Sequence, residues 1–515
     1  MNKSLRALAH TCLPVFSLIF SAAALLRAQV PPPQSTPPVQ LPLSGRGGQG
    51  GSVNTIETPV PGVTSSVNTL NTSVQVQGPY IGSVPGAGRP FSGKLSLRDA
   101  VARALEYNLG TEGLTQAMRQ ARGQARVARS SLLPNLSSYL RESVQQTDLA
   151  AFGLRINIPI RGFSIPTVAG PFNYFDLRAT LTQTVADLTA LNNYRSAQEL
   201  VKANEASLRD ARDLVVLAAG GAYLQVIAAQ ARVHSAQAQI DTAQAIFRQT
   251  QDRRKVGLNP QIDVNRSQVQ LQTQEQRLMS LENDLAKQKI NLARITGLPP
   301  SPDYQVTDDV PYAPAPDLSL EQALKQAFEN RADLQAAAAQ VRAAERARSA
   351  AKWEHLPSLA VSADYGAIGV NPGQSHGTFT FVGTLRIPIW QGGRMEGEAQ
   401  ETDAALAQRR AELADTRGRI EADVRDAFLD LATAAHQLEV SRNNQQVARE
   451  TLALTRQRFE AGIADAVEVT QAQEAVAGAD LDYITSLFAH NLAKVELARA
   501  TGKAEEHLGQ FLRMP

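Results

Sequence analysis

The 515-residue sequence predicts a mainly α-helical fold with some β-strands, made of two copies of one unit. Each unit contains a helix, a β-hairpin and long antiparallel coiled-coil helices. Three observations predict this fold: a long helical stretch occurs twice, the helix and hairpin before it occur twice, and aromatic residues make up only 5% of the chain. A low aromatic content suits long helices that pack along narrow seams.

The first duplication relates residues 253–297 to residues 458–502. Gly257 corresponds to Gly462 and Gly297 to Gly502, so the offset is constant at 205 residues. Steps of three and four place side chains on one stripe of a helix, which suits packing against a second helix. The first copy has such a stripe at Val264, Ser267, Leu271, Gln274, Leu278, Leu281, Leu285, Gln288, Leu292 and Ile295. We therefore predict an internal duplication of a coiled-coil helix.

The second duplication precedes the first along the chain. Leu133-Pro134 matches Leu356-Pro357, and apolar and polar residues alternate after each pair, as expected for strands with two different faces. We predict strands at 135–148 and 172–185 in the first copy. In the second copy we predict a hairpin at about 358–389, with a loop from Gly366 to Gly377.

These patterns predict six segments. The predicted hairpin of the first unit spans about 135–185, and the helical turns lie at 256–260 and 461–465. The segments are a signal peptide at 1–28, a disordered Pro/Gly/Ser-rich segment at 29–92, the first unit at 93–298, a Pro-rich linker at 299–317, the second unit at 318–503 and a C-terminal tail at 504–515.

The first 28 residues have the features of a secretory signal. Lys3 and Arg6 precede an apolar stretch that is short for a membrane span, and Ala28 is a plausible cleavage position. We expect the signal to be removed after secretion across the inner membrane. The composition of 29–92 cannot bury enough apolar surface to offset chain entropy, so we expect this segment to be disordered.

Several classes of function are excluded by composition and motif. Residues 1–28 hold three basic residues and no acidic ones, so the remainder has 48 basic and 49 acidic residues and no electrostatic case for nucleic acid. Cys12 is the only cysteine, and it lies in the predicted signal. The seven histidines form no metal-binding pair, and no nucleophile motif or phosphate loop occurs. We expect no enzyme activity, no cofactor and no metal.

The predicted strands suggest a membrane protein that crosses the membrane with β-strands and not with helices. No stretch of the mature chain has 18 consecutive apolar residues, so we expect no transmembrane helix. The predicted strands have the length and alternation of transmembrane β-strands. Four strands cannot close a barrel with a usable lumen, so a barrel would need several chains.

The order of the two units, the turn glycines Gly257 and Gly462 and the paired Leu-Ala-Arg-x-Thr-Gly ends resemble the TolC family of outer-membrane efflux proteins. The resemblance covers about residues 95–502. It implies a homotrimer whose hairpins form one 12-stranded β-barrel in outer-membrane lipid, above a long periplasmic helical tunnel. It also implies a periplasmic adaptor protein and an inner-membrane transporter of the RND or ABC type. The implied function is the passive exit duct of a tripartite efflux pump.

The resemblance also implies two sets of site residues. The residues at the two helical turns, called the tips below, match the family motif that docks the adaptor. They are Val256, Gly257, Leu258, Ala461, Gly462 and Ile463. The residues that match the family's periplasmic entrance are Asp263, Phe459, Glu468 and Gln471.

The entrance residues depart from the family pattern in two ways. The family places two acids beyond the second tip, whereas this chain keeps Glu468 and replaces the other by Gln471. Glu468 is alternatively an ordinary solvated helix charge. The family closes the entrance with Tyr and Arg bonded to an Asp. Asp263 matches that acid, but Phe459 and Ala464 replace its partners, so closure depends on packing of Phe459 or the resting channel is leakier.

Two alternatives stay open. A type I protein secretion channel would use the same fold, and a non-conducting coiled-coil envelope spacer would use the helices alone. The alternating hairpins argue against the spacer, which needs no lipid-facing barrel. We interpret the basic cluster at Arg253, Arg254 and Lys255 as a solvated helix face, with a partner contact as the alternative.

Overall fold

A computed structural model describes residues 51–60, 69–84, 91–153, 167–258, 260–308, 311–314 and 317–512. The predicted signal peptide at 1–28 lies outside these residues. The elements in chain order are β1 (Val53–Val60), β2 (Thr69–Val76), β3 (Lys94–Leu95), α1 (Leu97–Tyr107), α2 (Leu109–Ser130), β4 (Asn135–Asp148), β5 (Val168–Ala186), α3 (Leu188–Lys255), α4 (Gln261–Thr296), β6 (Gln305–Val306), α5 (Leu320–Asn330), α6 (Ala332–Lys352), β7 (Ser358–Gly369), β8 (Ser375–Arg386), α7 (Arg394–Glu460), α8 (Ala466–Ala500) and α9 (Ala504–Leu512).

The two halves of the chain repeat one order of elements: two short helices, a β-hairpin and two long helices. The long helices α3 and α7 contain 68 and 67 residues. At a rise of about 1.5 Å per residue, each spans about 100 Å. The side chains of Asp187 and Asp465 accept hydrogen bonds from the first turns of α3 and α8, which fixes where these helices begin.

The predicted stripe on α4 is confirmed. All ten of its side chains are buried or half-buried, because α4 packs along α3 as an antiparallel pair. Helix α8 packs along α7 in the same way, and α3 packs on α8. The order across the long helices is therefore α4–α3–α8–α7, with α4 and α7 at the two ends. The main core lies where α1, α3 and α8 meet, around Val215, Tyr223 and Leu492.

The hairpin strands form one antiparallel sheet in the order β4–β5–β7–β8. Pairing of β5 with β7 joins the hairpins of the two halves. The sheet of one chain is open, with β4 and β8 at its edges, so it does not itself form a closed barrel. The loop predicted at Gly366–Gly377 is too long, because β7 continues to Gly369 and β8 begins at Ser375. Gly366 lies within a strand, where a Cβ would be only 2.4 Å from the Leu177 carbonyl oxygen.

The prediction of disorder over 29–92 is wrong for residues 51–60 and 69–84. Strands β1 and β2 pair in an antiparallel hairpin that contacts α3 and α8. The β1–β2 hairpin docks on α3 at Gly221, where the helix has no side chain. A Cβ at Gly221 would be 2.4 Å from Cγ2 of Val74. Tyr80 is buried in the same way against Gly110. A few apolar residues therefore suffice to anchor a mainly polar segment.

The linker and the predicted C-terminal tail also pack on the helices. The buried Lys494 donates a 3.0 Å hydrogen bond to the Ala313 carbonyl, which anchors the linker on α8. The segment predicted as a tail contains α9, which packs on α3 and α8. Arg212 of α3 forms an ion pair with Glu505 of α9 at 2.5 Å.

Among the described residues, α3 is the one helix whose length and composition would allow it to cross a membrane. Of its most apolar 18-residue window, 67% is buried inside the fold. Contacts with α1, α8 and the β1–β2 hairpin account for this apolar stretch, because it supplies Val215, Val216 and Tyr223 to the core.

Candidate functional site

Two helical hairpins end in turns of the same construction. Gly257 has a φ of +80° and Gly462 a φ of +76°, in the left-handed region that favours glycine. The amide of Leu258 donates to the Arg253 carbonyl at 2.8 Å, and the amide of Ile463 donates to the Arg458 carbonyl at 2.9 Å. No heavy atom would lie within 4 Å of a Cβ at either glycine. Backbone conformation, and not crowding, therefore requires glycine at these turns.

Apolar side chains at both turns point into solvent. Val256 is 69% exposed, Leu258 is 74% exposed and Ile463 is 70% exposed. Ala461 is also exposed. Exposed apolar residues clustered at the end of a long helical pair are typical of a protein-binding surface. Docking of an adaptor on these residues stays a prediction.

A small apolar cluster lies beneath the turns and joins the two hairpins. Phe459, at the end of α7, is only 4% exposed and packs with Ile246 of α3, Ala464 and Val469 of α8. Its ring is therefore a core group between hairpins. This position fits the prediction that Phe459 packing replaces the missing tyrosine contact, although closure itself stays a prediction.

Arg253 contacts the end of the other hairpin, which the sequence did not reveal. Its Nη2 donates to the carbonyl oxygens of Phe459, at 3.0 Å, and Glu460, at 3.2 Å. Its guanidinium carbon lies 4.5 Å from the centroid of the Phe459 ring. The interpretation of the basic cluster as solvated is therefore wrong for Arg253. The exposed Arg254 and Lys255 do face solvent.

The physical reason for this contact is the end of α7. The last carbonyls of a helix have no partner within the helix and carry partial negative charge. A guanidinium can donate to two of them while its plane covers an aromatic ring. One sequence signal pointed to Arg253: it occupies the same position before Gly257 that Arg458 occupies before Gly462.

The predicted acidic residues at the entrance are partly neutralised. Oε2 of Glu468 lies 3.1 Å from Nη1 of Arg458, and the Glu468 side chain is 43% exposed. The Asp263 carboxylate lies 3.9 Å from Nη1 of Arg266, one turn further along α4. Gln471 is exposed. The structure thus brings Phe459 into the core between the hairpins and pairs Glu468 within its own hairpin.

A buried ion cluster, which no sequence pattern indicates, lies far from the tips. Arg331 is buried and lies 2.7 Å from both Asp333 and Asp423, and Arg499 reaches Asp423 at 3.3 Å. These residues join α6, α7 and α8. No group of three or more His, Cys, Asp or Glu residues that could hold a metal ion occurs among the described residues. The cluster therefore holds helices together without the features of a metal site.

The sheet has one apolar and one polar face. Its apolar face is exposed in a single chain and carries Leu136, Leu140, Leu177, Tyr365, Phe379, Phe381 and Leu385. On the polar face, Arg178 of β5 lies 2.8 Å from Asp364 of β7 and 3.3 Å from Asp176. The ion pair of Arg178 with Asp364 links the β-hairpins of the two halves. An exposed apolar face of this size needs cover.

Comparisons with known proteins agree with this geometry. The family model "Outer membrane efflux protein" matches residues 104–298 and 323–503. The chain is 24% identical over 430 residues to outer membrane protein OprJ of Pseudomonas aeruginosa, which covers 79% of this chain and 84% of OprJ.

Solved structures with a similar fold are outer-membrane channels. The Campylobacter jejuni CmeC outer membrane channel has a TM-score of 0.68 at 18% identity, over 81% of this chain and 88% of CmeC. The outer membrane protein VceC of Vibrio cholerae has a TM-score of 0.66 at 18% identity, over 79% of this chain and 96% of VceC. The Neisseria gonorrhoeae MtrE outer membrane channel has a TM-score of 0.63 at 16% identity, over 79% and 89%.

Proposed function

Because this chain belongs to the outer membrane efflux protein family, we propose that three copies form the exit duct of a tripartite efflux pump. The protein is a channel of that family and not an enzyme. The duct is passive: a periplasmic adaptor binds its helical tips, and an RND- or ABC-type transporter in the inner membrane supplies the energy. A duct for type I protein secretion would be built in the same way.

The observation that carries this proposal is the open sheet with its exposed apolar face. Strands β4 and β8 are both edges, so β8 of one copy can pair with β4 of the next. Three copies then contribute four strands each to a closed barrel of 12 strands. The apolar face, with Phe379 and Phe381, would face lipid, and the polar face with Arg178 would line the lumen.

The helices support the same arrangement. The end helices of one chain, α4 and α7, carry exposed apolar residues seven positions apart, which is the repeat of a coiled-coil seam. On α4 these residues are Ile262 and Val269, and on α7 they are Val440, Val447 and Leu454. Packing of α7 against α4 of the next copy covers both stripes. A contact between two different surfaces closes a ring when the rotation suits it.

The tips support adaptor docking and a weakly charged entrance. Val256, Leu258 and Ile463 offer exposed apolar surface at the end of the tunnel. Glu468 is paired with Arg458, and Gln471 is uncharged, so each copy adds little net negative charge at the entrance. We therefore expect a weak preference for cations.

Single-channel recording from purified protein in planar lipid bilayers tests this function. We expect discrete conductance steps from the detergent-extracted outer-membrane protein. A non-conducting envelope spacer would give no steps at any voltage. Efflux is then tested in cells, where deletion of the gene should raise sensitivity to small toxic compounds. Loss of a secreted protein without such sensitivity would indicate type I secretion instead.

A further inference from the structure

We propose that Arg253 is the latch that holds the two hairpin tips of one chain together and keeps the periplasmic end of the duct closed at rest. This inference rests on the proposed function, because a latch matters only if the tips must separate. The closing contact joins a side chain of the first hairpin to backbone carbonyls of the second.

The contact joins parts of the chain that belong to different hairpins. Arg253 lies in the last turn of α3, whereas Phe459 and Glu460 are the last residues of α7. Two hydrogen bonds, at 3.0 and 3.2 Å, and the guanidinium over the Phe459 ring bind the hairpins at this point. The Phe459 ring lies among Arg253, Ile246 and Val469, so the polar and apolar contacts form one unit.

Among the described residues at the tips, three ion pairs occur, and none of them joins the hairpins. Lys255 pairs with Asp252, and Arg266 pairs with Asp263, all within the first hairpin. Arg458 pairs with Glu468 within the second hairpin. The hydroxyl groups of Thr250 and Ser267, 2.7 Å apart, also bond α3 to α4 in the first hairpin. Relative movement of the hairpins would leave these contacts intact and break that of Arg253.

The internal repeat makes this choice of partner informative. Arg253 is the counterpart of Arg458, and Asp263 is the counterpart of Glu468, at the same offset of 205 residues. In the second hairpin the Arg and the acid form an ion pair at 3.1 Å. In the first hairpin Arg253 instead donates to the carbonyls of Phe459 and Glu460. The two equivalent arginines therefore make different contacts: that of Arg458 lies within one hairpin, and that of Arg253 joins the two hairpins.

The chemistry of the acceptors fits a latch that needs no acidic partner. Carbonyl oxygens at a helix C-terminus attract a cation, and one guanidinium can serve both while it covers the ring. The charge of the Glu460 side chain takes no part in these hydrogen bonds, because the acceptor is its backbone carbonyl. Lysine offers a point charge without a planar fork, so it would retain only part of the contact.

Conductance of purified trimers in planar bilayers tests the latch. We expect Arg253→Ala to raise the mean conductance several-fold and to lengthen open times, and Arg253→Lys to have a smaller effect. Arg254→Ala, which removes the exposed neighbouring arginine, and Glu460→Gln, which keeps the carbonyl, are matched controls expected to behave as wild type. Equal conductance of wild type and Arg253→Ala, with the trimer intact, would overturn the proposal.

A distance measurement separates failure of the latch from failure of the duct. Spin labels at Leu258→Cys and Ile463→Cys, with Cys12→Ser and with labelled chains diluted by unlabelled ones, report the spacing of the two tips in one chain. We expect a narrow distribution that broadens and lengthens in Arg253→Ala. An unchanged distribution overturns the latch whatever the conductance. The absence of conductance from every variant in the bilayer would contradict the proposed duct function, and with it the existence of a gate.

Discussion

Arg253 and Phe459 are 206 residues apart in the chain, yet the carbonyl of Phe459 accepts a hydrogen bond from Arg253 and its ring lies beneath the guanidinium. The contact joins a charged side chain in the last turn of α3 to an aromatic side chain in the last turn of α7. It also explains why Phe459 is buried although Ile463, four residues further along the chain, is exposed. The tips therefore combine a fixed interior with a free apolar surface.

Phe459→Ala should loosen both tips. Removal of a buried phenylalanine costs about 3–5 kcal/mol, and here the cost falls on the small cluster with Ile246 and Val469. We expect faster hydrogen exchange of amides in the last turns of α3 and α7, with little change near the sheet. The control is Leu258→Ala, because that side chain is exposed. Unchanged protection at the tips in Phe459→Ala would contradict the role given to this cluster.

Gly462→Ala should destabilise the second turn by about 1–2 kcal/mol, because a residue with a Cβ is strained at positive φ. The φ of Gly462 is +76°, and space around it is open, so no clash adds to this cost. Gly418→Ala is the matched control, since Gly418 lies inside α7 with open space around it. That change should stabilise the helix by up to about 1 kcal/mol. Hydrogen exchange of residues near each glycine distinguishes the two effects.

Val447→Glu should weaken assembly of the trimer. Val447 lies in the middle of the exposed stripe on α7 that we assign to the seam with the next copy. A charge buried in an apolar seam loses hydration without gaining a partner. We expect native mass spectrometry to show monomers or unstable trimers. Arg442→Glu, an exposed substitution on a different side of the same helix, should leave the trimer intact, and equal loss in both variants would argue against this seam.

Stability should fall as the pH rises from 5 to 7 because of Asp213. Burial raises the pKa of Asp213 from 3.8 to about 6. Between these two values the folded state binds more protons than the unfolded state, so stability is greatest at low pH and decreases as the carboxyl ionises. We expect this carboxyl to contribute a loss of about 1 kcal/mol between pH 5 and pH 7.

Asp213→Asn tests this pH dependence. The carboxyl accepts a hydrogen bond from the Glu505 amide at 3.2 Å, and asparagine keeps an oxygen for it. We expect the variant to be more stable than wild type at pH 7 and to melt with a smaller difference between pH 5 and pH 7. An identical pH dependence in the two proteins would show that Asp213 ionises normally.

Elements with strong periodicity were predictable from the sequence. The repeat at 205 residues and the stripe on α4 follow from positions along one chain segment, as do the alternating strands of the sheet. The turn glycines Gly257 and Gly462 were predictable for the same reason, since local backbone conformation alone requires them. Assembly from three copies was carried over from the family resemblance, and a single chain leaves its sheet open.

Features that depend on distant partners were not predictable. The β1–β2 hairpin has a composition typical of disorder, and its order depends on Gly221 of α3, where no side chain blocks Val74. The sequence pattern predicts Gly366 at the start of a loop, whereas it lies in β7 and permits close approach of the neighbouring strand β5. The partner of Arg253 is a backbone group of another hairpin, and no side-chain pattern records such an acceptor.

We propose that three copies close the sheet and the helical ring in the outer membrane. The most direct test is the mass of the detergent-extracted protein from fractionated membranes, by native mass spectrometry, with gel mobility before and after heating. We expect a heat-modifiable trimer in the outer-membrane fraction. A soluble periplasmic monomer would contradict it, because the apolar face around Phe379 and Phe381 would then have no lipid to cover it.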